Sequence, residues 1–439
     1  VHALTRNVAS AELIARLGHV VAVRGAVVEA QGPAAQIGER CRIEAARSSA
    51  PIDAEVIGFD RGVTMLMPLG SLEGISAGER VVALGEMPFV PCGREMLGRV
   101  VDAFGRPVDD LGSIATTQRR SLNANPPPAL RRQRVNMPLA TGVKIVDTML
   151  ALARGQRVGL FAGSGVGKSS LLGMMARGAQ ASVNVIALIG ERSREVREFV
   201  EDQLGAEGLK RSVVVVATPD EPAVVRSRAA YAATALAEYF RDEGESVLLM
   251  MDSLTRFAMA RREIGLAVGE PPTARGYTPS VFAELPRLAE RAGPGSGAGS
   301  ITGLYTVLVE GDDLNEPVSD TLRATLDGHI VLARDIANTG QFPAVDVLQS
   351  MSRLHTAVGQ AENLAAARAV LACCALYERN RQLVEIGAYK PGVSVELDRA
   401  VRVMPAIRAF FSQPLDRLIS REESLEQLRQ LAVSIGAKA

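Results

Sequence analysis

The spacing of apolar residues changes character three times along the chain. In residues 1–17, VHALTRNVASAELIARL, Val1, Leu4, Val8, Ala11 and Ala15 fall three or four apart, the spacing of one helix face. Such a helix can pack on its own domain or serve as a docking or membrane-surface segment. From Gly18 to about Gly85 the runs shorten. HVVAVRGAVVEA, RCRIEA, DAEVIGF and GVTMLMPL alternate or are rich in β-branched residues, and glycines punctuate them. This pattern predicts a small all-β domain closed as a barrel. Barrels that bind single-stranded nucleic acid expose stacking aromatics. Only Phe59 is available here, so a structural barrel is expected.

LGRVVDAFGRPVDDLG (97–112) then supplies turns, and NANPPPALRRQR (123–134) carries three successive prolines. These force an extended backbone and mark a crossing between domains. RRQR reads as a solvated linker face. From about 135 to 350, six near-continuous apolar runs alternate with helical stretches: RVGLFAG, VNVIALIG, SVVVVATP, SVLLMMDS, ITGLYTVLVEG and GHIVLAR. Strands buried on both faces of a largely parallel sheet look like this, so the core is expected to be α/β. Residues 355–439 are patterned as helices. In one of them Ser420 and Glu423 form a capping box ahead of Leu425, Leu428 and Leu431, and Gly436 follows the end.

Composition narrows the function. Lys plus Arg and Asp plus Glu both number 49, so no bulk attraction to nucleic acid or anionic membrane is expected. No apolar run reaches the ~18 residues that span a bilayer. The N-terminus shows no basic segment followed by an apolar core, so no signal peptide is expected. The first residue is Val, not Met, which leaves the natural start open. Cys41, Cys92, Cys373 and Cys374 have neither a CxxC pair nor a nearby His at ligand spacing. Reduced, buried thiols and a cytosolic setting are the expectation.

The chemistry concentrates in RVGLFAGSGVGKSSLLGMMAR. Here a strand runs into a glycine loop, Ala162, Gly163, Ser164, Gly165, Val166, Gly167, Lys168, Ser169 and Ser170, and then into a helix. Small residues let backbone N–H groups converge on phosphate oxygens, and the helix N-terminus adds its dipole. Ala162 takes the position where a leading glycine is usual. Lys168 should reach the β- and γ-phosphates of ATP, and the Ser169 hydroxyl should ligate Mg²⁺. Asp252 ends the apolar run SVLLMMDS. A carboxylate there can hold the hydration shell of Mg²⁺ or cap the next helix. Glu191 follows the end of VNVIALIG, where it can polarise an attacking water. Arg192 beside it could balance γ-phosphate charge.

AGSGVGKS, GERSREVREFVEDQLGAEGLKRSVVVVATPDEP, LLMMDSLTRFAMARREIGLAVGEPP, RGYTPSVFAELPRLAERAG, VEGDDLNEPVSDTLRATLDGHIVL and PAVDVLQSMSR together resemble the rotary-type hexameric ATPases. Within these the chain is similar to the type III export ATPases, along nearly its whole length. YERNRQLVEIGAYKPG (377–392) resembles the flagellar branch, with the virulence-secretion branch as the alternative. Ser193 stands where glycine is usual and Thr278 where proline is usual.

The resemblance implies a RecA-like nucleotide-binding core between an N-terminal β-barrel and a C-terminal helical domain. Its divisions would be an N-terminal segment 1–17, a barrel 18–90, an ATPase domain with its leading linker 91–354, and helices 355–439. It makes Lys168 and Ser169 the phosphate and metal ligands, Glu191 the catalytic carboxylate with Arg192 its neighbour, and Asp252 the Walker B aspartate. Arg353, directly after PAVDVLQSMS, would be an arginine finger serving the next subunit. Otherwise it is a structural ion pair.

The resemblance further implies a homohexamer, with the isolated chain a monomer where assembly needs nucleotide or partners. GEPPTARGYTPS (269–280) and EGDDLNEP (310–317) would line the ring's central opening and meet a coiled-coil stalk-like protein. The N-terminal helix would dock on a stator-like regulator. Export chaperones and an export gate are the further partners, with peripheral association at the inner face of the bacterial cytoplasmic membrane. AFFSQP (409–414) is expected to contribute to the adenine pocket. An ATP synthase catalytic subunit is disfavoured by the GERSREVREF and RNR…GAY contexts. A non-catalytic ring subunit is disfavoured by Glu191, and an RNA-translocating hexamer by the zero net charge.

Overall fold

A computed structural model describes residues 16–46 and 50–436. The helix expected over 1–17 therefore falls outside the described residues except for its last two, and Leu17 already opens the first strand.

Six antiparallel strands close into a barrel. In spatial order they are Leu17–Arg24, Val27–Gln31, Val63–Pro68, Ile52–Asp60, Arg40–Glu44 and Arg80–Ala83, which pairs back to the first. Alternation does the sorting: Val20, Val28, Ala30, Cys41, Ile43, Ala54, Val56, Leu66 and Val81 fill the interior. A bulge between Val56 and Gly58 shifts the register and sets the strand against the next domain. A Cβ on Gly58 would stand 3.2 Å from Val268.

All six apolar runs become strands of one sheet. Its order is Met351–Ser352, Gly328–Leu332, Arg157–Ala162, Ser300–Leu308, Ser246–Asp252, Val183–Ile189, Ser212–Ala217 and Arg99–Asp102. The pairings are parallel except at Met351–Ser352 and at the short Gly293–Pro294 that pairs off this path. The alanines of helix Ala223–Asp242 are nearly all buried, which lets it lie close on one face. The loop helix Lys168–Gly178 packs on the other face, in the same apolar cluster as parts of the C-terminal helices.

Two local readings change. The segment 97–112 contributes Arg99–Asp102 to the sheet edge as well as turns. The strand is only four residues long and flanked by turns, which hid it; the Asp109 carboxylate anchors it by pairing with Arg99 at 2.8 Å and accepting Val100 N–H at 2.9 Å. RRQR is not uniformly solvated. Arg132 is half-buried and donates to the carbonyls of Pro127, Glu290 and Ala292, so it pins the linker to the core.

The C-terminal region is helical, with Ala361–Glu385, Val395–Phe411 and Arg421–Ser434 as its main elements. Ser420 Oγ accepts the Glu423 N–H at 3.1 Å, which caps the last helix. The Glu423 carboxylate accepts from Gln427. Cys41, Cys92 and Cys374 are buried, Cys373 is half-buried, and all four thiols are free. Among the described residues no helix is long and apolar enough to cross a membrane.

Candidate active site

The glycine loop leaves the C-terminal end of strand Arg157–Ala162 and enters helix Lys168–Gly178. Gly167 caps that helix with φ of +90°, and a Cβ there would stand 3.3 Å from the Phe342 ring. Both the left-handed backbone and the close ring demand glycine. Strand Ser300–Leu308 separates the loop's strand from the one ending at Asp252, and Val183–Ile189 lies beyond. Because these strands run parallel, Lys168, Asp252 and Glu191 gather at the same edge of the sheet, where ligand crevices form in such folds.

Lys168 joins them. Its Nζ lies 2.5 Å from Asp252 Oδ1 and 3.4 Å from Glu191 Oε1. Burial works against its charge, but Asp252 and then Glu191 outweigh this and raise its pKa. The Glu191 carboxyl is pushed up to about 7, chiefly by burial; Lys168 opposes this and Asp252 adds to it. Glu191 also shares a hydrogen bond with Glu195, whose carboxylate is held below its usual range by that bond. A carboxyl poised near neutrality beside a lysine can exchange a proton with bound water.

Asp252 had two readings, metal holder or helix cap. The cap of helix Leu254–Ala267 is Ser253, whose Oγ accepts the Arg256 N–H at 3.2 Å. The Asp252 carboxylate is thus left to Lys168 and to Thr306, whose buried hydroxyl donates to it at 2.6 Å. Thr306 was not found from the sequence. It lies inside a continuous apolar run, and only the strand order brings it next to Asp252.

The other expected residues are placed as follows. Ser169 is exposed at the loop's rim and Ser170 half-buried behind it. Arg192 is not drawn into the cluster; its side chain is 81% exposed and lies 3.8 Å from Glu195. A cavity of about 320 Å³ opens beside Ala162 and Ser164, lined also by Thr255, Arg256 and Leu308. The AFFSQP segment reaches the loop from the C-terminal region. Gln413 is buried, and its backbone N–H donates to the Phe342 carbonyl at 2.9 Å. Its side chain accepts the Lys144 N–H at 2.7 Å and donates to the carbonyls of Gly142 and Arg417. Gln413 thereby fixes Phe342 against the loop. The two segments expected at a central opening are tied together, with Arg275 pairing with Asp313 at 2.9 Å and Glu316 at 3.0 Å.

Arg353 lies at the opposite end of the sheet. Its N–H donates to the Asp327 carbonyl, and the Asp327 N–H donates to the carbonyl of Arg157, where the loop's strand begins. From Arg157 to Ala162 is five residues, about 17 Å at the rise of a strand. An arginine side chain does not cross that distance, so Arg353 cannot serve its own subunit's loop.

Comparison with known proteins agrees with this architecture. The sequence matches the ATP synthase alpha/beta family at its beta-barrel domain over residues 20–85 and at its nucleotide-binding domain over residues 142–352. It matches the T3SS EscN ATPase C-terminal domain over residues 360–430. It is 50% identical over 423 residues to a flagellum-specific ATP synthase of Bacillus subtilis (strain 168), covering 95% of each chain. It is 49% identical over 425 residues to a type 3 secretion system ATPase of Xanthomonas euvesicatoria, covering 97% of this chain and 96% of that one. The assembled ATPase EscN from the enteropathogenic E. coli type III secretion system superposes with a TM-score of 0.90 at 42% identity, over 94% of this chain and 100% of that one. EscN in complex with its central stalk EscO gives a TM-score of 0.86 at the same identity and coverage. With barrel, nucleotide-binding sheet and C-terminal helices all matched at these identities, the chain belongs to the type III export ATPases of the ATP synthase alpha/beta family.

Proposed function

We propose that this chain hydrolyses Mg-ATP to energise flagellar type III protein export, acting at the export gate to release chaperones and unfold substrates. The observation that carries the reading is the division of the site, with Lys168 between Asp252 and Glu191 at one end of the sheet and Arg353 at the other. The loop amides of Gly163–Ser170 and Lys168 bind the β- and γ-phosphates, with Lys168 exchanging a carboxylate for phosphate oxygen. Glu191 orients and deprotonates the attacking water. Arg192, from the rim, adds positive charge near the γ-phosphate. Phe342 and the AFFSQP segment hold the base.

Mg²⁺ suits this donor set. The described residues offer no cluster of three or more His, Cys, Asp or Glu, and Mg²⁺ prefers few protein ligands together with phosphate oxygens and water. The Ser169 hydroxyl and the Asp252 carboxylate would hold it, and when bound it neutralises phosphate charge.

The active form is a homohexamer in which Arg353 completes the next copy's site. The relative solved as an assembled ATPase, and again with a central stalk, supports a ring whose opening, lined by 269–280 and 310–317, takes a stalk-like partner. The division into a segment 1–17, a barrel 18–90, an ATPase domain 91–354 and helices 355–439 follows the same plan. A stator-like regulator at the N-terminus, export chaperones, and a cytoplasmic location peripheral to the membrane complete the proposal. Virulence secretion is the second reading, favoured by the 49% identity to a type 3 secretion system ATPase. Restored swimming of a flagellar ATPase deletion strain would select between the two.

The mechanism is tested by mixing. Lys168→Ala has a dead loop and a sound Arg353, and Arg353→Ala the reverse. Each alone should lose ATPase activity, the second by roughly 10³–10⁵-fold, as when other ATPases and GTPases lose an arginine finger. Mixed under subunit exchange, they should recover well above either parent. A mixture that stays dead while exchange is verified would sink the shared-site reading.

A further inference from the structure

Arg353 is not alone at its end of the sheet. Its Nη2 donates to the carbonyl of Arg323 at 3.3 Å, on helix Pro317–Thr325. The Arg323 Nε is buried and has no hydrogen-bond partner among the described residues. Both arginines act on His329, where after burial they disfavour the charged imidazole.

The carboxylates nearby do not neutralise them. Asp327, beside Arg353 in space, is engaged by Arg157 through Nε, Nη2 and the backbone N–H at 3.0, 3.1 and 3.0 Å. Asp320, one turn before Arg323 on the same helix, is exposed and forms no ion pair with it. Other semi-buried arginines are matched to carboxylates, as Arg99 with Asp109, Arg157 with Asp327 and Arg291 with Glu238, or held by backbone carbonyls, as Arg211. Two arginines that meet through the Arg323 carbonyl and both face His329, with no carboxylate partner among the described residues, offer positive charge to an anion from outside the chain.

We propose that Arg323 is a second catalytic cation: with Arg353 it contacts the polyphosphate of the nucleotide bound by the neighbouring copy. The inference rests on the shared-site reading above and adds a residue to it. Arg323 would engage phosphate oxygens in both ground and transition states, so its loss should affect KM as well as kcat.

The test uses the full chain as Arg323→Gln and Arg323→Lys, with ring formation followed by sedimentation and ATPase activity measured on the assembled protein. Arg323→Gln should assemble, raise KM for ATP and lower kcat, together costing roughly 10–100-fold in kcat/KM, the range of one lost charge-assisted hydrogen bond. Arg323→Lys should recover part of the loss. Mixing Arg323→Gln with Lys168→Ala should restore turnover, because the Lys168→Ala copy presents both arginines to a sound loop. Assembled Arg323→Gln with the parent's kcat and KM would overturn the proposal. So would a variant that fails to assemble and is repaired by Lys in assembly alone, since Arg323 would then be a ring contact. If Arg353→Ala is not rescued by Lys168→Ala, the shared-site reading fails instead, whatever Arg323 does.

Discussion

Replacing Thr306 by Val removes one hydroxyl from the site and almost nothing else. The side chain is fully buried, so water cannot take the hydroxyl's place. Its Oγ1 lies 2.6 Å from Asp252 Oδ1 and 3.3 Å from the Met251 carbonyl, so the bond to the carboxylate dominates. A hydrogen bond to a charged group contributes about 1.5–3 kcal/mol. Lys168 remains 2.5 Å from the same oxygen, so Asp252 keeps its ionic partner and a loss of about 2 kcal/mol is expected. At about 2–4 °C per kcal/mol for a domain of this size, Tm should fall by about 4–8 °C. Asp252 would also lose the contact that fixes its rotamer, and kcat for ATP should fall by roughly tenfold. Thr306→Ser keeps the hydroxyl and should restore most of both. Calorimetry and a steady-state ATPase assay on the three proteins measure this directly. An unchanged Tm and kcat in Thr306→Val would refute the argument, as would a Ser variant as impaired as Val, because the effect would then come from packing.

Three further outcomes follow from the site and its surroundings. Glu191→Gln should lower kcat by roughly 10²–10⁴-fold while nucleotide affinity, measured by equilibrium binding, stays close to the parent's. Glu55, at the junction of barrel and core, is pushed up to about 7 by burial, against the pull of Arg228, Arg261 and Arg40. Its folded pKa exceeds its unfolded one, so the folded state binds the extra proton and stability should fall as pH rises from about 4.5 to 7, then level off. Denaturant titrations across that range should show this slope reduced in Glu55→Gln; parallel curves would remove Glu55 as its source. Gln413→Leu should raise KM for ATP by about tenfold with a smaller change in kcat, since the side-chain bonds to Lys144, Gly142 and Arg417 that hold the backbone N–H of residue 413 against Phe342 are lost. Equal losses in both constants would place Gln413 in the chemistry instead.

The parts of the site that were readable in advance share one property: they are local. The glycine loop declares itself because strand, turn and helix must be contiguous for backbone N–H groups to converge. Asp252 and Glu191 stand just past apolar runs, and in a parallel sheet that position alone brings them to the ligand edge. Thr306, Gln413 and Arg323 depend on which strand lies beside which, and on where a distant helix ends. No periodicity encodes that. Thr306 looks like any polar residue in a buried strand, and Gln413 acts through backbone groups 269 and 271 residues away in sequence. The barrel was visible because glycines and alternation mark short strands, whereas the edge strand Arg99–Asp102 was too short to separate from its turns.

The separation of Arg353 from its own loop sets an arithmetic for assembly. If Arg353 serves the next copy's loop, as proposed, the contact is head-to-tail, and such contacts close into a ring when the rotation allows. In an open arc of n copies there are n loops, but only n − 1 of them face a neighbour's arginine. A lone copy then has no complete site, a pair has one, and closing the arc supplies the last. Turnover per copy rises with every addition and reaches its maximum only at closure. Unassembled copies would then carry nucleotide without consuming it, and fuel use would begin where the ring is built.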